Sequence, residues 1–382
     1  MNKHVYINDI QSFLPNEKIG NDEMESVLGQ VGNRPSRARK TILRSNKIVS
    51  RYYAVDPKTG QATHSNAQLT AQAIRQLNNS HFDINNIELL ACGTSIPDQL
   101  LPNHAVMVHG ELAIPSCEVV ATSGICLSGT MSLKYGYMSV LSGSSNNAVA
   151  TGSETSSAMM RAKNFKEEVS QKINDLERQP EIAFEKDFLR WMLSDGAGAA
   201  LMTDQPNKEG ISLKIDWIKQ KSYANEQQAC MYAGAEKQPD GSLKSWLAHN
   251  QDEWLNLSIF SLKQDVKLLN EHIINYTVTK PLKELVASGD VIADQVDYFI
   301  PHYSSGFFRD KVYAGMKEAG CDIPQSKWFT NLASKGNTGS ASIYIMLEEL
   351  FHSGELKPGD KLLCYIPESG RFSTAFMHLT VV

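Results

Sequence analysis

The chain has 382 residues, of which 42% are hydrophobic and 21% charged. These proportions are typical of globular proteins and exclude a disordered, collagen-like or coiled-coil chain. Thirty-seven basic and 42 acidic residues give a net charge of −5, which argues against a general nucleic-acid-binding protein.

The sequence contains no signal for a membrane or a metal. No apolar run reaches the roughly 18 residues that span a bilayer, and the first residues become polar too early for a signal peptide. The six cysteines include no CxxC pair, so neither a zinc site nor a disulfide framework is indicated. We therefore expect a cytoplasmic, metal-free enzyme with reduced thiols.

Short apolar runs alternate with longer helical patterns along the chain, which predicts an α/β layered fold. A buried strand is predicted at Ile87–Cys92 and a similar one at Val296–Pro301. A helical pattern that Cys126 opens recurs about 210 positions later, opened by Asn337. This repeat predicts two similar α/β halves, residues 1–205 and 206–382.

Two polar segments interrupt this pattern. Residues 164–188 carry dense mixed charge and are expected to form a helical insertion, either a solvated surface helix or a lid or dimer flap. Residues 219–254 form a second insertion, in which residues 238–241 mark a turn.

Cys126 occupies the position of a nucleophile. It follows a strand-like run and a short turn, and the next residues begin a helix. Unpaired N–H groups at a helix start favour the thiolate and are expected to lower the thiol pKa. The alternative is an inert cysteine buried in a strand–helix corner.

His302 and Asn337 are candidate partners of Cys126. His302 follows a predicted strand and enters a small-residue loop, where α/β proteins collect ligand-facing side chains. Asn337 is the repeat counterpart of Cys126, so the two are expected to face one another. Taken singly, His302 is more typical of a structural histidine and Asn337 of a helix cap.

These three residues, in this order and spacing, resemble the Cys-His-Asn triad of the β-ketoacyl-acyl-carrier-protein synthase III group of thiolase-fold condensing enzymes. The resemblance covers nearly the whole chain, and four further segments resemble family motifs in register: Thr151–Glu154, Asp195–Ala199, Gly336–Thr338 and the loop around Gly370. It implies a thiolase-like fold with duplicated halves in an α-β-α-β-α arrangement.

The resemblance also implies a ping-pong mechanism and a set of roles. Cys126 would take an acyl group from a coenzyme A or phosphopantetheine thioester, and a malonyl-type or β-ketoacyl-type thioester would then attack it. His302 and Asn337 would donate hydrogen bonds to the enolate-like oxygen, and the N–H groups of Cys126 and Gly370 would form the oxyanion hole. No permanent cofactor is needed. The implied partners are acyl-CoA, acyl carrier protein and a second copy in a homodimer, whose interface is expected at Asn147–Glu154.

Several residues depart from the family pattern. Cys126 is followed by Leu127, Ser128 and Gly129 rather than by the family's Cys-x-Gly, and Glu368 adds charge to the glycine-rich loop. These changes resemble the divergent ketosynthases of dialkylresorcinol and aryl-polyene pathways in secondary metabolism. Glu368 is either an extra base or a surface-loop carboxylate. Two other functions stay open: acyl transfer to an alcohol or amine, and a non-catalytic subunit of a condensing heterodimer.

One basic segment stands out on this acidic chain. Arg34, Arg37, Arg44 and Arg51 belong to a cluster of seven cations within eighteen residues. Such a cluster is expected to attract the phosphates of coenzyme A or an acidic carrier protein, and it is equally typical of a solvated basic turn.

Overall fold

The structure, a computed structural model, describes residues 4–31, 35–36, 39–165 and 189–382. The strands of these residues are β1 Tyr6–Phe13, β2 Ile19–Gly20, β3 Ser50–Arg51, β4 Leu89–Thr94, β5 Glu118–Ser123, β6 Asn147–Glu154, β7 Gly196–Thr203, β8 Leu213–Ser222, β9 Met231–Tyr232, β10 Ala235–Lys237, β11 Leu243–Ser245, β12 Lys263–Gln264, β13 Tyr298–Pro301, β14 Lys361–Glu368 and β15 Ser373–Val381.

The α-helices of the described residues vary from one turn to four turns. They are α1 Met24–Leu28, α2 Arg39–Asn46, α3 Asn66–Arg75, α4 His104–Leu112, α5 Ser128–Ser142, α6 Gln251–Asn256, α7 Val266–Ile274, α8 Lys280–Ala287, α9 Arg309–Glu318, α10 Leu332–Lys335 and α11 Ser342–Phe351. A π-helical turn, Asn275–Thr279, joins α7 to α8.

Nine of the described strands form one mixed sheet in the order β13-β14-β15-β8-β1-β7-β6-β4-β5. Strands β4, β5 and β6 run parallel to one another, as do β13 and β14. Strands β1 and β8 meet in the middle of the sheet through only two antiparallel pairs, Tyr6 with Lys214 and Ile7 with Leu213. The sheet therefore consists of two well-paired parts with a narrow junction between them.

Alternation along the strands divides the core into three layers of side chains. In β6, Ala148 and Ala150 face a cluster that also holds residues of α5 and α11, whereas Val149 faces the outer helices α3 and α4. In β14, Leu362 faces the same central cluster, and Leu363 faces the outer helices α7 to α9. Successive strand side chains point to opposite faces. Helices thus cover both outer faces and fill the space between the two parts of the sheet, which confirms the layered α/β arrangement.

The two predicted halves fit this layout, and their division near residue 205 stays a prediction. Strand β7 ends at Thr203 and β8 begins at Leu213, on opposite sides of the junction. The expected helical insertion at 164–188 lies, from residue 166 onward, outside the described residues. The second insertion contains β9 to β11 and α6, with the expected turn at residues 238–241 joining β10 to β11.

The expected dimer strand, Asn147–Glu154, is not an edge strand. It pairs with β4 on one side and β7 on the other, so its backbone groups are already hydrogen-bonded. The open edge of the sheet at this end is β5, which pairs with β4 alone. The open edge expected at Asn147–Glu154 is therefore wrong, because the edge lies two strands further along the sheet. The dimer itself stays a prediction.

Within the part of the chain that the structure describes, no helix is long and apolar enough to cross a membrane. The same residues contain no group of three or more histidine, cysteine or acidic side chains placed to hold a metal ion. All six cysteines are free thiols.

Candidate active site around Cys126

Cys126 lies in the turn between β5 and α5 and is half-buried. The turn is held by a carboxylate from the other end of the chain: Glu368 Oε2 accepts hydrogen bonds from the N–H groups of Ile125 at 2.8 Å and Leu127 at 3.3 Å. Glu368 is thus not a free surface carboxylate, and a role as an extra base stays a prediction. It occupies the place where a helix start favours negative charge.

The surroundings of Cys126 oppose the thiolate. Burial raises the pKa of the Cys126 thiol, and the carboxylates of Glu368 and Glu154 raise it further. The sequence predicts a lowered pKa from the helix start, and this is wrong because Glu368 already takes two of the N–H groups there and adds a like charge beside the sulfur.

His302 follows β13 directly and is buried, with its backbone N–H donating to Tyr365 O at 2.8 Å. Burial lowers the pKa of His302 to about 4, so the imidazole is neutral near pH 7. A neutral imidazole has one ring N–H, which makes His302 a hydrogen-bond donor rather than a cation.

Asn337 is buried in the turn that precedes α11. Its Oδ1 accepts the N–H of Gly339 at 2.9 Å, and its backbone bridges to Met192 and Ser194. Because Oδ1 is occupied by a backbone donor, the side chain presents Nδ2, a donor, to a ligand.

Two cavities meet at Cys126. The smaller, about 40 Å³, is lined by Cys126, His302 and largely apolar side chains such as Leu269, Ile273 and Phe308. The larger, about 300 Å³, is lined by a more polar set: Cys126, Glu154, Asn337, Gly339, Ser95 and Gln264. The structure therefore brings the three predicted catalytic residues to adjoining cavities, with the cysteine common to both.

Comparison with known proteins agrees with this geometry. The family model for the C-terminal part of 3-oxoacyl-[acyl-carrier-protein (ACP)] synthase III matches residues 287–366, which include His302 and Asn337. β-Ketoacyl-[acyl-carrier-protein] synthase III of Clostridium perfringens is 25% identical over 317 residues, 83% of each chain. The solved structure of the tetronic acid condensing enzyme AbyA1 has a TM-score of 0.76 at 19% identity, covering 98% of this chain and 99% of that one. That of Xanthomonas campestris OleA with bound lauric acid and lauroyl-CoA has a TM-score of 0.69 at 19% identity, covering 100% of both chains. The chain therefore has the same thiolase-like fold as these solved structures.

Gly370, the glycine that the synthase III-like pattern predicts beside the nucleophile, lies in the turn between β14 and β15. A side chain at this position would begin 3.2 Å from Ile125 Cδ1 and 3.3 Å from Glu368 Oε1. Glycine therefore lets this turn approach the turn that carries Cys126. The oxyanion-hole role of the N–H groups of Cys126 and Gly370 stays a prediction.

The predicted basic rim is only partly described. Arg34 and Arg37 lie outside the described residues, and Arg44 is exposed on α2. Arg51 is fully buried, with its guanidinium donating to Asn21 Oδ1 at 2.9 Å and to Trp191 O. A rim position is therefore wrong for Arg51, because its guanidinium is buried and both terminal nitrogens donate inside the protein.

Sequence reasoning missed Glu154 as a residue of the site. The sequence interpretation assigns it to the strand after the nucleophile helix and gives it no chemistry of its own. One sequence feature could have indicated it: β6 and β14 are both eight-residue strands that end in glutamate, Glu154 and Glu368. These two carboxylates are 214 residues apart, close to the 211 residues that separate Cys126 from Asn337.

Proposed function

We propose that this protein is a condensing enzyme that loads an acyl group onto Cys126 and joins it by a C–C bond to a second acyl thioester. The observation that carries this proposal is the position of Cys126, which lines one cavity with His302 and the adjoining cavity with Asn337. A nucleophile and two neutral donors are the groups that acyl transfer followed by enolate attack requires.

In the first half-reaction, Cys126 Sγ attacks the thioester carbonyl of the donor and the donor's thiol leaves. The N–H groups of Cys126 and Gly370 would hold the developing oxyanion. In the second half-reaction, His302 and Asn337 Nδ2 would donate to the carbonyl oxygen of the other thioester as it becomes enolate-like. Both donors are buried and preorganised, so their hydrogen bonds act in a low-dielectric site where they stabilise charge most.

The smaller cavity suits the acyl chain of the donor. Besides Cys126 and His302 it is lined mainly by apolar side chains from α7 and α9, including Leu269, Ile273 and Val312. Transfer of a hydrocarbon chain into such a lining is favourable by the hydrophobic effect. We assign this cavity to the Cys126-bound acyl group.

Substrates would arrive as coenzyme A or carrier-protein thioesters, and the reaction would belong to secondary metabolism. The departures around Cys126 and Glu368 support this assignment, as does likeness to a tetronic acid condensing enzyme. Acyl transfer to an alcohol or amine is the alternative that the experiments below separate.

We also propose that the protein forms a homodimer through β5. An open strand edge presents unpaired backbone groups to a second copy. Met138, on α5 next to this strand, is 56% exposed. The Met138→Lys variant should weaken the dimer in light scattering after gel filtration, because a two-fold axis brings two added charges together. Leu247→Lys, at a 74% exposed position in the second insertion, is the control that should stay dimeric. A Met138→Lys protein that is as dimeric as the control would contradict this interface.

Intact-protein mass spectrometry after incubation with a panel of acyl-CoA and acyl-carrier-protein thioesters tests the nucleophile. The wild type should gain one acyl mass, the Cys126→Ala variant none, and the Cys117→Ala variant, which removes another half-buried thiol, should behave as the wild type. A C–C-bonded product after addition of a second thioester identifies condensation, whereas an ester or amide product identifies acyl transfer. Acylation of the Cys126→Ala variant would contradict the proposal.

A further inference from the structure

A short ribbon at the second insertion forms part of the wall of the active site. Strand β9, which belongs to the insertion, pairs in antiparallel register with β12. Met231 of β9 and Gln264 of β12 line the larger cavity together with Cys126. The sequence predicts a polar insertion here and indicates no contact with the nucleophile. We call these two strands the β9–β12 ribbon.

The β9–β12 ribbon holds the turn that carries Gly370. The carbonyl of Gly370 accepts the N–H of Cys230 at 2.8 Å and the N–H of Met231 at 3.4 Å. The hydroxyl of the preceding residue, Ser369, accepts Gln264 Nε2 at 3.1 Å and donates to Met231 Sδ at 3.4 Å. The contacts therefore fall on both sides of the peptide bond between Ser369 and Gly370, and this bond carries the N–H predicted for the oxyanion hole.

The Gly370 turn contains little that would hold this N–H in one orientation by itself. Gly370 has no Cβ, so its backbone has access to more conformations than that of any other residue. Phe372, two residues later, has a φ of 59°, a left-handed conformation that is strained for a residue with a Cβ and persists only where the surroundings impose it. A catalytic donor must be held to within about 0.5 Å of its productive position. Contacts from outside the turn have to supply that constraint.

Gln264 supplies the side-chain part of this constraint. It is 4% exposed, and its bond ends on Ser369. Ser369 and Cys126 each line both cavities, so this bond ends where the two cavities meet at the sulfur. The other partner of the Ser369 hydroxyl, the Met231 sulfur, is a weak acceptor. The bond from Gln264 is therefore the one that fixes the orientation of Ser369.

Building on the proposed acyl transfer to Cys126, we propose that Gln264 is a positioning residue: its Nε2 fixes Ser369 and thereby aims the N–H of Gly370 at the oxyanion that forms when Cys126 attacks the donor thioester. Gln264 gains and loses no proton in this role. The β9–β12 ribbon then contributes to the rate of acylation as well as to the wall of the cavity.

The test separates oxyanion formation from the reactivity of the thiol. Acylation of Cys126 by a donor thioester creates an oxyanion, whereas alkylation by iodoacetamide displaces iodide from a saturated carbon and creates none. Both rates are measured by intact-protein mass for the wild type, Gln264→Met, Ser369→Ala and the double variant. Gln238→Met is the matched control, because Gln238 lies in the second insertion and its Nε2 donates to Glu236 Oε2 at 3.2 Å, yet it lines neither cavity.

We expect Gln264→Met to acylate about 10–100-fold more slowly than the wild type, which is less than the roughly 10²–10³-fold cost of losing a whole oxyanion donor. Alkylation should stay within about twofold of the wild type. The loss should fall on the maximal acylation rate and leave the half-saturating donor concentration within a few-fold, because the oxyanion exists only in the transition state. The double variant should be no slower than the slower single variant, since both changes remove one bond. Gln238→Met should match the wild type in both rates.

Three results would overturn the role of Gln264. Acylation of Gln264→Met at the wild-type rate would exclude it. Equal slowing of acylation and alkylation would indicate a general distortion of the site, and fully additive losses in the double variant would show that Gln264 does not act through Ser369. A wild type that takes no acyl group from any donor, while iodoacetamide still alkylates Cys126, would instead overturn the proposed function on which this inference rests.

Discussion

Replacing Glu368 with glutamine should make Cys126 more reactive. After burial, the Glu368 carboxylate is the largest of the influences that raise the pKa of the Cys126 thiol. Glutamine removes the charge and keeps an oxygen for the N–H groups of Ile125 and Leu127, which lie 2.8 and 3.3 Å from the carboxylate. The turn should therefore keep its shape while the thiol pKa falls.

Two opposing changes set the alkylation rate of Cys126 in Glu368→Gln: a larger thiolate fraction and a less nucleophilic thiolate. Loss of one adjacent like charge lowers a pKa by about one unit, which raises the thiolate fraction roughly tenfold below the thiol pKa. A less basic thiolate is also less nucleophilic, with a Brønsted coefficient of about 0.4–0.5, so about threefold of that gain is lost. Alkylation of Cys126 by iodoacetamide should accelerate about threefold.

The assay is the second-order rate of alkylation at Cys126, followed by peptide mass between pH 7 and 9.5. Peptide resolution separates Cys126 from Cys117, the other half-buried thiol. Glu348→Gln, remote from both cavities, should leave the rate unchanged. An unchanged or slower rate in Glu368→Gln would refute the reasoning, because the carboxylate would then exert no field on the sulfur.

Two further predictions concern stability. Burial raises the pKa of Glu154 from 4.5 to about 7, so the folded protein binds this proton more tightly than the unfolded chain. The corresponding stability is present below pH 4.5 and is lost as the pH rises through 7. Between pH 4.5 and 8, the free energy of unfolding in urea should fall by about 3 kcal/mol more for the wild type than for Glu154→Gln. An equal pH dependence of the two free energies would contradict the raised pKa of Glu154. At Gly152 of β6, an added Cβ would overlap the backbone carbonyl of Ser340. Gly152→Ala should therefore cost about 1–3 kcal/mol in urea unfolding and slow acylation, whereas Gly110→Ala, where a Cβ meets nothing, should do neither.

The regular elements of the central layers could be predicted closely. The strand predicted at Ile87–Cys92 is β4 at Leu89–Thr94, and the helix predicted to open at Cys126 is α5 at Ser128–Ser142. Asn147–Glu154 is β6 with the same bounds. These segments are buried on both faces or carry a strong helical pattern, so local sequence determines them.

The parts that escaped prediction depend on contacts between distant residues. Strand order places β6 inside the sheet and β5 at its edge, and an apolar run alone does not tell these positions apart. The raised pKa of Cys126 depends on Glu368, which lies more than half the chain away along the sequence. Arg51 lies in a basic segment, but the fold turns its side chain inward. Local composition cannot predict the strand order, the raised pKa of Cys126 or the inward position of Arg51.

Glu154 and Glu368 each accept hydrogen bonds from a turn in the opposite half of the chain. Glu154 ends β6 and accepts the N–H of Ser340, in the turn before α11. Glu368 ends β14 and accepts the N–H groups of Ile125 and Leu127, in the turn before α5. Each carboxylate thus lies at the start of the other half's central helix, where negative charge is favourable. A duplicated chain would produce this reciprocal arrangement, and it holds the turn of Cys126 against the turn of Asn337.

The same arrangement constrains how the thiol reacts. Two carboxylates and burial hold the pKa of Cys126 above its ordinary value, and neutral His302 offers no positive charge in return. A thiolate formed before substrate binds would therefore be disfavoured. Proton loss must accompany attack on the thioester, when the new oxyanion gains its hydrogen bonds and offsets the cost. Each glutamate accepts these backbone donors with one oxygen only: Glu368 with Oε2 from Ile125 and Leu127, and Glu154 with Oε1 from Ser95 and Ser340.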